Sequence, residues 1–227
     1  MNDAGLAMFW AFSRCDLAGP EFDRWFSSQP GLEAQLGADL YLDLLCGNYA
    51  DREALWRLRR SLDPLLTPLR QCECPTLRDL AATPMGGDFH FEKIFESFER
   101  IVDFGPEKWW LHLSRCSRCA TFWLIAQDER IYDEFFLHRI DETVASEARA
   151  GRWPRRFFTY EDVLATGRAL SNPPRFLDPM AGSLQWTVED LLGERPDITV
   201  EEIAHLLGLS AEHAAALLRR VRAARLK

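Results

Sequence analysis

No apolar run in the 227-residue chain approaches the roughly 18 to 20 residues that a membrane-spanning helix requires. The first apolar stretch, Gly5 to Phe12, follows Asp3 and lacks the basic flank of an export signal, so it reads as a core helix. Cysteine is scarce too. Six thiols are too few for a disulfide scaffold in a chain of this length. Without an export signal they are expected in the reducing cytoplasm, where clustered cysteines more often ligate metal. Also missing are a phosphate-binding glycine loop, a nucleophile elbow and a His-Glu-x-x-His helix. There is no internal repeat and no low-complexity tract. These absences argue against an enzyme, against a membrane role and against a secreted disulfide-rich protein. Nearly half the residues are apolar, which is ample for a globular core.

A surplus of positive charge is also lacking. The net charge is −8, and its distribution is uneven: −7 over residues 71–147 against +3 over 148–183. Such a field repels phosphate over most of the surface and speeds encounter with a basic protein.

The apolar spacing divides the chain into four segments. Residues 1–70 read as a helical module with stripes Leu6-Phe9-Trp10-Leu17, Phe22-Trp25-Phe26, Leu32-Leu36-Leu40-Leu44-Leu45 and Leu55-Leu58-Leu62-Leu65-Leu69. Turns fall at Gly19-Pro20, Gln29-Pro30-Gly31 and Gly47-Asn48, and Pro64 kinks or ends the last helix. Residues 71–147 read as a small α+β domain. Short strands over Trp109–Arg115 and Thr121–Ala126 flank a tight turn, and the spacing Ile131, Phe135, Phe136, Ile140 predicts a return to helix. Residues 148–183 are a basic, proline-bearing connector, and 184–227 a compact helical unit. The expected class is mainly α, with a zinc-ribbon-like centre.

The chemistry concentrates in Cys72-Glu73-Cys74 and Cys116-Ser117-Arg118-Cys119. Zinc takes four soft ligands in a tetrahedron, and a two-residue spacer in a hairpin turn lets both sulfurs face one ion. The first pair has a tighter, single-residue spacer, so His90 or His112 is an alternative to one of its cysteines. Four cysteine ligands leave no position open for water, so the expected zinc is structural. Cys15 and Cys46 lie in predicted helices and are expected in the core.

Two further groups are candidates for contact. Asp128, Glu129, Asp133 and Glu134 form an acidic cluster for a protein partner, where carboxylates would contribute specificity and on-rate. At the C-terminus, Thr199 caps a helix, Gly208 permits a left-handed turn and Ser210 caps the next helix. This stretch resembles the helix-turn-helix unit of bacterial regulators. The resemblance implies DNA binding through Arg219, Arg220, Arg222 and Arg225, although the start of the second helix, Ala211 to Ala215, offers few groups that read bases.

The N-terminal stretch Glu21-Phe22-Asp23-Arg24-Trp25-Phe26, followed by Leu36-Gly37-Ala38-Asp39-Leu40-Tyr41-Leu42, together with the zinc-knuckle region, resembles uncharacterised bacterial proteins, some of the immunity type that neutralises polymorphic toxins. That resemblance implies a bacterial origin and protein binding; with the acidic middle and the absence of a catalytic motif, the expectation is a non-enzymatic protein whose partner is a basic toxin domain. A DNA-binding regulator is the alternative expectation.

Overall fold

The computed structural model describes residues 3–86 and 90–225. The chain forms two compact units, Met1–Asp79 and Leu80–Lys227.

The first unit is helical, and its aromatic stripes account for its core. Helices α1 (Asp3–Ser13) and α2 (Gly19–Ser27) bury Phe9, Phe12, Phe22 and Phe26, with Phe12 and Phe22 stacked at a centroid distance of 3.9 Å. The single long helix expected after residue 31 is two helices, α3 (Leu32–Leu36) and α4 (Ala38–Leu45). Gly37 between them has φ +80°, which a helix cannot contain and glycine tolerates. Asp51 caps α5 (Arg52–Ser61) by accepting from the Ala54 N–H at 2.7 Å. Pro64 then sits in the first turn of α6 (Asp63–Leu66), where its missing N–H costs nothing. Cys15 and Cys46 are exposed rather than in the core: each follows the end of a helix, Cys15 with φ +68° and Cys46 as the C-terminal cap of α4.

The second unit overturns the mainly α expectation. It is an α+β unit whose frame is a five-stranded antiparallel sheet in the order β1-β5-β4-β3-β2, with β1 Ala81–Pro84, β2 Phe98–Asp103, β3 Leu111–Cys116, β4 Phe122–Asp128 and β5 Glu134–Ile140. The segment expected to return to helix forms β5. Its neighbours Phe136 and Leu137 are both fully buried, on opposite faces, because the sheet is covered on both sides. A doubly covered strand shows no polar alternation, and its apolar run imitates helical spacing. Strand β2 fails to announce itself for the opposite reason: it is an edge strand, largely exposed, carrying Glu99 and Arg100 and a register shift between Arg100 and Val102.

One sheet face packs on helices. Leu111, Leu124, Ala126 and Phe136 share a core with α9 (Tyr160–Arg168), α10 (Gly182–Glu194), α11 (Val200–Leu207) and α12 (Ala211–Arg225), while Leu113 and Phe122 pack on α8 (Glu142–Arg149). The helices from 184 onward therefore share a core with the sheet. On the other face the Phe95 ring of α7 (His90–Phe95) lies 4.7 Å from Phe135. Among the described residues no helix is long and apolar enough to cross a membrane.

Candidate metal centre

The turn between β3 and β4 is built by its own backbone. Ala120 adopts φ +60° and donates its N–H to the Cys116 carbonyl at 2.9 Å, while the Cys116 N–H reaches Thr121 O at 2.9 Å. The resulting loop points Cys116 and Cys119 to one side. A second layer ties it to the chain just before β2: the Ser117 N–H donates to Ser97 O at 2.8 Å, and Cys116 Sγ is hydrogen-bonded to Ser97 Oγ at 3.4 Å. The other pair lies in a turn where the Thr76 N–H and hydroxyl both donate to Glu73 O, at 2.9 and 2.8 Å.

The sulfur atoms of Cys72, Cys74, Cys116 and Cys119 all lie within 4.8 Å of one another. Three of the four residues are buried and Cys119 is exposed. Metal–sulfur bonds of about 2.3 Å make a tetrahedron with edges of about 3.8 Å, so a contraction of about 1 Å along the longest edge closes the set on an ion. These four cysteines can hold a metal ion, and their close approach across more than forty intervening residues is a non-local property of the fold. Electrostatics favour the same end. Burial pushes the Cys116 thiol up, but hydrogen bonding with the Ser97 hydroxyl, with the Cys119 and Arg118 N–H groups and with the Cys119 side chain outweighs it and holds the thiol down to about 6, nearer the thiolate that binds metal.

His112 is not a member of this group. It is buried on β3 with Nδ1 unpartnered, and burial, reinforced by Arg100, lowers its imidazole to about 4. The side chain of His90 lies outside the described residues. Ser97 and Thr121, whose hydroxyl lies 3.2 Å from Cys119 Sγ, were not legible as parts of the centre. Only the β2–β3 register, which pairs Phe98 with Cys116, brings Ser97 alongside.

The acidic cluster divides. Asp128 is fully buried, so it is not a surface contact for a partner. Its carboxylate accepts from Tyr160 Oη at 2.8 Å and from the N–H groups of Arg130, Ile131 and Tyr132 at 3.1, 3.0 and 3.2 Å, and so shapes the turn between β4 and β5. Burial pushes its carboxyl up against those four donors. Glu134 is half-buried, with Oε2 unpartnered and its carboxyl raised by burial and by Asp133. Glu129 and Asp133 are exposed.

The C-terminal arginines all lie on the exposed side of α12. Arg225 is engaged within the unit, donating to Glu189 O at 2.7 Å. Both ends of α11 have the expected chemistry: Thr199 and Glu202 form a capping box at its start, and Gly208 ends it with φ +66°. Compared with known proteins, the chain matches no family model, no curated protein and no solved structure.

Proposed function

We propose that the protein is a non-enzymatic binding protein built around one structural zinc ion, with a basic protein, such as a toxin domain, as its partner. The observation that carries this reading is the approach of four sulfurs to within 4.8 Å of one another. Four thiolates satisfy zinc completely and leave no coordination position for water or substrate, so the ion serves the shape of the chain. The charge of −7 over residues 71–147 supports the choice of partner, and exposed Glu99, Asp103, Glu107, Glu129 and Asp133 supply carboxylates for it.

Affinity capture from a cell extract, with the wild type beside a Glu129→Lys/Asp133→Lys variant, tests the partner. A basic protein held by the wild type, released by salt and lost by the variant is the expected result. Capture of the same proteins by both would contradict the acidic-surface reading, and so would capture of none. DNA is the weaker alternative, because α12 presents Ala211 and Glu212 at its start and its arginines only in its last turns.

A further inference from the structure

The basic stretch around Arg149–Arg156 stands apart from the cysteine cluster and from the acidic surface. Arg155 and Arg156 line a cleft of about 700 Å³, whose apolar wall is Leu80, Ala165 and Ala169. Neighbouring residues of an extended chain point to opposite sides, yet these two share one cleft because the chain turns there. The Phe158 N–H donates to the Arg155 carbonyl at 3.0 Å, closing a four-residue turn whose third residue, Phe157, has φ +60°. Glycine is the usual residue at such a position. Phenylalanine holds it because its ring is fully buried, 6.3 Å from that of Phe136, and because Trp110 Nε1–H donates to the Phe157 carbonyl at 2.9 Å. The core therefore fixes the direction in which both arginines leave the backbone.

Neither guanidinium has a partner among the described residues. Asp162 also lines the cleft, but its carboxylate caps α9 by accepting from the Thr159 N–H at 3.4 Å. The Thr166 hydroxyl is taken by the Asp162 carbonyl at 2.8 Å. What remains is a fork of guanidinium donors beside a small apolar wall, in the one segment of clear positive charge. Guanidinium donors match the planar spacing of oxyanion oxygens. We propose that this cleft binds a small organic oxyanion, its phosphate or carboxylate head on Arg155 and Arg156 and its apolar body against Leu80, Ala165 and Ala169.

Titration calorimetry of the full chain at low salt, with phenyl phosphate, benzoate and inorganic phosphate as probes, tests this. Saturable one-to-one binding of phenyl phosphate or benzoate is expected, tighter than that of inorganic phosphate, and the tighter of the two identifies the head group. Arg155→Gln/Arg156→Gln is expected to weaken it at least about tenfold, since a charge-assisted hydrogen bond contributes about 1.5–3 kcal/mol. Ala165→Glu, which places a carboxylate on the exposed wall, is expected to abolish binding while leaving the melting temperature unchanged. Absence of saturable binding to both organic probes would overturn the proposal. So would undiminished binding by the arginine double variant, or inorganic phosphate bound as tightly as the organic anions.

Discussion

Asp128 is the side chain on which the turn between β4 and β5 depends. Replacing it by alanine leaves the Tyr160 hydroxyl and three N–H groups without their acceptor in a buried place. A loss of about 3 kcal/mol or more is expected, measured by urea unfolding. His112 gives a pH signature. Its folded value of about 4 lies below the roughly 6.5 of an unfolded chain, so the unfolded state takes the proton more readily. Its contribution is then complete above about pH 6.5 and is lost progressively as pH falls toward 4, by about 3 kcal/mol in all. Subtracting the unfolding curve of His112→Asn, which does not titrate, isolates this slope from protonation of the thiols. A flat difference between pH 7 and 4 would contradict it. At this scale the cysteine pairs were legible because short spacers are local. The burial of Asp128 was not, since its partner Tyr160 stands 32 residues away and an acidic residue in a row of acids reads as solvated.

Among elements, α9 meets the turn before β5 through one glycine. The Tyr132 ring crosses so close to Gly167 that an added Cβ would lie 2.4 Å from it, while the Tyr132 hydroxyl donates to Leu206 O at 2.6 Å and ties in α11. Gly167→Ala, which in an exposed helix would stabilise, is expected here to cost roughly 1–3 kcal/mol in thermal or urea unfolding. The connection between β2 and β3 is held by Lys108. Its ammonium lies 4.3, 5.3 and 5.6 Å from the rings of Phe158, Trp110 and Phe104, and 3.7 Å from Glu194 Oε1. Lys108→Met keeps the length of the side chain and removes the charge, with an expected loss of roughly 1 kcal/mol by the same measurement. A helix start was read well where a cap stood beside it, as at Thr199. Strands were read well only where a turn of known chemistry separated them, as for β3 and β4. Strand β5 was hidden by burial on both faces and β2 by exposure at the edge. The pairing of β1 with β5, fifty residues downstream, has no local signature.

For the whole chain, the mainly α expectation failed because the sheet gathers strands from far-separated segments, and because the C-terminal helices, amphipathic in their own right, bury their apolar stripe with it. The cysteine cluster survives that revision, since its four members were identified by residue type and spacing and the fold draws their sulfurs together. A metal closing a loop between Cys74 and Cys116 restricts the unfolded chain and adds its binding free energy to folding. The most direct measurement is the metal content of freshly purified, untagged protein beside its Cys116→Ser variant. One zinc per chain is expected in the wild type, lost in the variant, with a melting temperature that falls on chelation. Protein free of metal, whose melting is unmoved by chelator and by the serine replacement, would contradict the zinc-centred account.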